Sequence, residues 1–476
     1  MSHLLRTELG GSPSDSRGTS LLSLLLMSDV QVVDTVSPAR CEWVELLVNE
    51  PLWQPLLHMH RPYEALTHWV FAAHVDAARR NPHPTGSTRP YDLCVCLGDN
   101  IDNAQRNELD TFLDILAGGT TRLSARGGVH EVATQGGYGY GSSADSSPWP
   151  YWCPEAGVAD LWKPLGYPVV PGFVERASAE LVSKGLGFAW ACLPGNHDVM
   201  RQGTALPEPD IERIAIGRRK ALFRPDGFAP VDPLGLFVEA PAAFSRGAGR
   251  DVPALVSRRA VGRHEWIDAH VQRGAAGYIG RHAQEGSTDA VIDTEHIRII
   301  LLDTNHPAGD YQGSIGTAQL DWLDAQLAEV DTQPGRLAVL CSHHGSVSLT
   351  NTRGDDPQRH HAAALTAVAH RHACVAAWLV GHRHLHQIQP HPGPKGGFWE
   401  ISTGAIIDWP SQARSVEFIR HAGGPLEIVC TLLDHEAPPG SLAHLHHELA
   451  RRFAGDQCSR MQGQPGDGNV RLLRCG

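Results

Sequence analysis

Five short polar segments, each directly after an apolar run, limit what this chain can fold into. They are Asp29-Val30-Gln31, Gly98-Asp99-Asn100-Ile101-Asp102, Gly195-Asn196-His197-Asp198, His343-His344 and Gly381-His382-Arg383-His384. The runs before them, residues 21–27, 93–97, 188–193, 337–341 and 375–380, are apolar on both faces, as is 297–302, and all six read as buried strands. Helical patterns over 62–79, 104–116, 317–330 and 360–372 alternate with them, which predicts an α/β fold. Beyond Gly381 the pattern turns strand-rich, with runs at 398–403, 416–419 and 426–432. Polar side chains at strand ends sit where open α/β sheets bind ligands. Asp and Asn oxygens gathered with imidazoles suit divalent ions such as Mn, Fe or Zn better than a soft thiolate site would.

In order and wording these segments resemble the signature of the calcineurin-like metallophosphoesterase superfamily, D-x-H, G-D-x-x-D, G-N-H-D/E, H and G-H-x-H. Four blocks match, and Gln31 stands where the first block has histidine. The segment His60-Arg61-Pro62-Tyr63-Glu64-Ala65-Leu66-Thr67 and residues 29–40 look like a bacterial branch of that superfamily. The resemblance runs from residue 29 to residue 384. It implies a four-layer α-β-β-α sandwich and hydrolysis of phosphate mono- or diesters by a hydroxide shared between two metal ions.

The resemblance also implies a ligand set. Asp29 and His384 would hold the first ion, and Asn196, His343 and His382 the second. Asp99, a carboxylate with two oxygens after a glycine at a strand end, is the natural bridge. Of the pair His343-His344, the family pattern places the ligand first and leaves His344 to pack or orient. His197 would face the substrate, donating to a phosphate oxygen or protonating the leaving group, with Asp198 holding its ring. An amide is a weaker donor than imidazole, so Gln31 either coordinates through its carbonyl or bonds a water on the metal. In both cases the first ion is held less firmly. Asp102 and Asn103 are expected to orient ligands or their loop. Asp34, Arg61 and Glu108 read more simply as surface salt bridges. His382 and His384, two residues apart, point the same way if the backbone there is extended.

Composition narrows the partners. A formal net charge of −12 argues against general nucleic-acid binding, which needs basic stripes. A small-molecule or lipid phosphoester substrate is expected instead. No apolar run reaches the roughly 18–20 residues of a membrane span. Cys94, Cys96, Cys192 and Cys341 fall inside strand-like runs and read as buried thiols, which fits a reducing cytoplasm.

Residues 1–20, rich in Ser and Gly, read as a disordered leader, 21–435 as the catalytic domain, and 436–476 as a C-terminal helix with a loose tail from 457. Two insertions interrupt the domain. One (118–186) carries Tyr138, Tyr140, Trp149, Tyr151, Trp152, Trp162 and Tyr167 and is expected to fold over the site, favouring a substrate with a ring or apolar part. The other (201–296) is arginine-rich. His306 is a candidate substrate contact. His360, His361, His370, His372, His444, His446 and His447 read as solvated helix faces. The departure at Gln31 keeps two rivals to the enzyme: a pseudo-enzyme, or a single-metal binding protein on the same scaffold.

Overall fold

Helical crossovers between neighbouring parallel strands set the layers. The computed structural model describes residues 3–13, 18–57, 59–123, 149–155, 159–278 and 288–475. Its first sheet has seven strands: β1 (Leu4–Leu9), β2 (Thr19–Met27), β3 (Leu93–Cys96), β4 (Trp190–Cys192), β11 (Ala413–Arg420), β12 (Leu426–Leu433) and β13 (Val470–Arg474). Its second has six: β5 (Ala290–Asp293), β6 (Ile297–Leu302), β7 (Leu337–Ser342), β8 (Val375–Val380), β9 (Gln387–His391) and β10 (Phe398–Ser402). The spatial orders are β1-β13-β12-β11-β2-β3-β4 and β9-β10-β8-β7-β6-β5.

Strands β2, β3 and β4 run parallel, joined through α1 (Thr67–Arg80) and α2 (Arg106–Ala117). Strands β6, β7 and β8 run parallel, joined through α3 (Thr317–Asp331) and α4 (Ala362–Arg371). In each sheet the strands step in one direction, so each helix pair covers one face. The period of two along β6 shows which face goes where. Ile297, Ile299 and Leu301 join the core shared with β2 and β3, while Ile300 and Leu302 pack with Leu323, Leu327 and Leu365 of α3 and α4. On the far side, Phe71 of α1 stacks on Phe112 of α2 with ring centroids 4.9 Å apart. This is the α-β-β-α layering that the resemblance implies.

Three expectations about the periphery fail. Residues 1–20 are not all leader, because β1 pairs in parallel with β13 at the sheet edge. The tail is not loose either: β13 lies between β1 and β12 and buries Val470, Leu472 and Leu473. The alternation of Val470, Leu472 and Arg474 on one face is the signal that composition hid. Third, the described part of the first insertion does not cover the site. Trp152, Tyr167 and Phe173 pack with Leu442 and Leu449 of α5 (Leu442–Ala454) and with Tyr63. Tyr138 and Tyr140 lie outside the described residues. On α5, His446 is buried edge-on against Tyr63 at 5.0 Å and is no part of a solvated face.

Candidate metal centre

Every donor in the signature segments leaves the C-terminal end of a parallel strand. Asp29 follows β2, Asp99 β3, Asn196 and His197 β4, His343 β7, and His382 and His384 β8. Because the sheets lie face to face, these ends meet. The backbone turns sharply to aim them: φ is 51° at Asp29, 44° at Gln31, 51° at Asp99, 69° at His382 and 53° at His384. Non-glycine residues rarely take left-handed backbone, and such strain concentrates at functional sites. His382 and His384 are therefore not on extended backbone. They turn apart and serve different halves of the cluster.

In one half, His384 Nε2 lies 3.1 Å from Asp29 Oδ1. Asp29 Oδ2 accepts from the Ser28 hydroxyl at 2.5 Å and the His382 N–H at 3.1 Å, which leaves Oδ1 toward the cluster. Gln31 sits here too, its Nε2 3.4 Å from Asp99 Oδ2. In the other half, His343 Nε2 lies 3.0 Å from Asn196 Oδ1, 3.2 Å from His382 Nδ1 and 3.2 Å from Asp99 Oδ2. Asp99 reaches both halves through Oδ2, since its Oδ1 accepts the His197 N–H at 2.8 Å.

These donors fit cations. His343 Nδ1 donates to the Leu97 carbonyl at 2.8 Å, and Asn196 Nδ2 donates to the Gly203 carbonyl at 2.9 Å. Both therefore turn lone pairs inward, at each other and at Asp99. Electron-rich atoms this close repel unless a cation sits among them. Burial works against charging His343, yet Asp99 and Asp29 outweigh it and lift its pKa to about 9. For His384, burial is outweighed by Asp29 and Asp408, and the pKa reaches about 10. Gln31 Oε1 is buried with no hydrogen-bond partner among the described residues, as a ligand atom would be, and buried Asp29 Oδ1 has the His384 ring beside it at 3.1 Å. Asp29, Asp99 and His384 form one compact donor group, and His343, His344 and His382 another. In the second group His344 is already used: Nε2 meets the Tyr311 carbonyl at 3.0 Å and Nδ1 meets Thr304 Oγ1 at 2.9 Å.

His197 is held differently from the expectation. Its Nδ1 donates to the main-chain carbonyl of Asp102 at 2.7 Å, and Asp198 has another task. The Asp198 carboxylate accepts the N–H groups of Gly195 at 2.8 Å, Asn100 at 3.2 Å and Ile101 at 3.3 Å, tying two signature loops together. Burial, helped by the charge of Asp99, pushes the Asp198 pKa up to about 7, and burial lowers that of His197 to about 4.

Arg61, Asp34 and Glu108 are not surface groups. Asp34 pairs with Arg258 at 2.7 Å, and Glu108 accepts the N–H groups of Asp34 and Asn103, all of them buried. Arg61 grips Asp408 through two bonds, at 2.7 and 2.9 Å. Tyr63 Oη donates to the same carboxylate at 2.9 Å, and Asp408 Oδ2 accepts from His384 Nδ1 at 2.6 Å. The sequence reading missed Asp408 altogether. It follows the strand-like run at 398–403 as a lone acid after Gly404-Ala405-Ile406-Ile407, the same strand-end rule that marks the signature segments.

Arg61, Asp408, Tyr311 and Arg383 line a cavity of about 300 Å³ together with Gln31, Asp99, Asn196, His197, His382 and His384. No described residue of the 118–186 insertion lines it. His306 does not line it either, and its Nδ1 accepts the Ala308 N–H at 3.0 Å. Asp102 and Asn103 do orient the loop, the first through His197 and the second by accepting the Gln202 N–H at 2.8 Å.

No family model matches the chain. Over 87 residues, 18% of its length, the chain is 33% identical to a probable cyclic nucleotide phosphodiesterase from Synechococcus sp. (strain WH7803), and the match spans 32% of that protein. Among solved structures it is similar to a dimetal phosphatase from Danio rerio, at 13% identity and a TM-score of 0.39, over 88% of this chain and 97% of that one. A putative 5'-nucleotidase from Staphylococcus aureus is similar at 11% identity and a TM-score of 0.31, over 90% of this chain and 58% of that one. Similarity at this level leaves the chemistry of the site to its own residues. No helix among the described residues is long and apolar enough to cross a membrane.

Proposed function

We propose that this protein hydrolyses phosphate mono- or diesters with two divalent ions, of the Mn, Fe or Zn type, held in the cavity. One observation carries the reading: two groups of inward-turned lone pairs share Asp99, at the ends of parallel strands from both sheets. Asp29, Asp99 and His384, with the Gln31 amide beside them, would hold one ion; Asp99, Asn196, His343 and His382 would hold the other. Bound there, the ions would neutralise phosphoryl oxygens and acidify the attacking water.

The chain's own residues do the rest. Asp198 fixes the loop that carries Asn196 and His197. The Asp102 carbonyl sets the plane of the His197 ring, which lines the cavity and faces the ester. His197 Nε2 would take up a proton from solvent when the charged ester binds, and as water adds to phosphorus and the bond to the leaving oxygen breaks, the ring would pass that proton to the departing oxygen. The cavity, about 300 Å³, suits a phosphoryl group with a small-molecule portion. Tyr311 offers the aromatic face that the first insertion was expected to provide. Buried thiols at Cys94, Cys96, Cys192 and Cys341 suit a reducing compartment, and we keep the cytoplasm as the reading.

The test is hydrolysis of 4-nitrophenyl phosphate and bis(4-nitrophenyl) phosphate, with Mn, Fe, Zn and Mg added back separately to stripped protein. Metal analysis runs alongside. Two ions per chain with turnover supports the enzyme, one ion the binding protein, and none the pseudo-enzyme. The partnerless Oε1 of Gln31, buried beside Asp99, favours a ligand over a decayed position.

A further inference from the structure

Three imidazoles at this site are anchored through Nδ1, and one anchor is unlike the others. His343 and His197 donate to main-chain carbonyls, of Leu97 and Asp102. His384 donates to a carboxylate, Asp408, at 2.6 Å. That carboxylate is buried and fixed on both oxygens: Oδ1 by Arg61 Nε and Tyr63 Oη, Oδ2 by the second Arg61 bond and the His384 ring. Arg61 and Tyr63 come from the loop before α1, and Asp408 from the loop after β10, so distant parts of the chain converge on one imidazole. A carboxylate acceptor draws on the Nδ1 proton and leaves Nε2 richer in electrons than a carbonyl does.

His384 belongs to the same half of the cluster as Gln31, the half that has one imidazole and an amide where the other half has two imidazoles. We propose that Asp408, clamped by Arg61 and Tyr63, is a positioning residue that strengthens His384 as a metal donor and so offsets the weak amide of Gln31. This rests on the two-ion reading of the site. The two residues then form a compensating pair: Asp408 matters because Gln31 is not a histidine.

A double-mutant cycle on metal affinity tests this, with Mn²⁺ alone as the probe and the full chain titrated calorimetrically. Asp408→Asn is expected to weaken one of two Mn²⁺ sites about 10- to 100-fold, the usual effect of losing such a partner. The other site should stay within about threefold. In the Gln31→His background, where a second imidazole restores the half-site, the same Asp408→Asn change should cost less than about a fifth of that factor. Asp408→Glu keeps a partner for Arg61 while moving the carboxylate, and is expected to weaken the same single site. It serves where the asparagine variant fails to fold. Equal weakening of both sites overturns the inference, and so does the same loss in both backgrounds. A wild-type chain that binds no Mn²⁺ would overturn the two-ion reading itself, and this inference with it.

Discussion

The two halves of the donor cluster are held by different means. The half around His343 is held mostly by main chain: Leu97 and Gly203 carbonyls orient His343 and Asn196, the first directly after β3 and the second in the tight turn that Arg201 and Ala205 close. The half around His384 is held by side chains, Ser28 on Asp29 and Asp408 on His384, with Arg61 and Tyr63 behind. Main-chain restraints come with the fold and tolerate sequence drift. Side-chain restraints require particular residues at distant positions, and they can be tuned. Gln31, the one departure from the signature that the segments resemble, falls in the tunable half.

The largest effect should come from the residue that belongs to both halves. Asp99→Ala removes the carboxylate oxygen that lies 3.2 Å from His343 Nε2 and 3.4 Å from Gln31 Nε2, and also the acceptor of the His197 N–H. Turnover should fall to background, and bound metal should drop at both sites. A protein that kept one tight ion would mean that the halves are independent and that Asp99 is no bridge.

His197 lies beside the main-chain-held half. His197→Ala should leave metal content intact and lower kcat for esters with poor leaving groups about 10²–10⁴-fold, the usual range for general acid help. Nitrophenyl esters, whose leaving group departs without a proton, should lose much less. Uniform losses across leaving groups would restrict His197 to phosphate positioning.

Gly203 probes whether main chain alone orients the second half. Its φ is +66°, and an added Cβ would lie 2.4 Å from His197 Nε2 and 2.5 Å from Asn196 Nδ2, both too close. Gly203→Ala should therefore push both rings of contact outward and lower turnover about tenfold or more, since sub-ångström misplacement of this kind is costly. Metal analysis should show loss of one ion. If both ions and full activity survive, the Gly203 carbonyl is not what aims Asn196.

This division explains what the sequence made legible. The six central strands and the polar residues after them were readable because an apolar run followed by a polar residue states a strand end directly. His343, Asn196 and the Leu97 carbonyl sit inside those same segments, while Gly203 lies a few residues beyond them. Arg61, Tyr63 and Asp408 were not readable as a unit, because residues 61 and 408 meet only when the two sheets stack. A lone Arg and a lone Asp default to surface positions. The role of Asp198 was misassigned for the same reason: adjacency in Gly195-Asn196-His197-Asp198 suggests contact with the His197 ring, yet the short helix beginning at Asn196 turns Asp198 back onto the N–H groups of Gly195 and Asn100. The edge strand β1 and its neighbour β13 escaped because Ser- and Gly-rich surroundings masked short alternating stretches.

The smallest effect on rate, and the sharpest on the comparison, belongs to Gln31. Its Nε2 points at Asp99 Oδ2, and its Oε1 is buried beside the cluster without a hydrogen-bond partner among the described residues. An amide oxygen turned on a cation adds a weak ligand, so its loss should be felt in occupancy and hardly at all once the site is filled. Gln31→Ala should raise the metal concentration for half-maximal activity about tenfold, with kcat at saturating metal within about threefold of wild type. During dialysis against a chelator, the wild-type chain should lose the ion of this half before the ion of the His343 half. An unchanged metal-activation curve in Gln31→Ala would make the amide a packing group. The side-chain-held half would then rest on Asp29, Asp99 and His384, and Asp408 would have no weakness to offset.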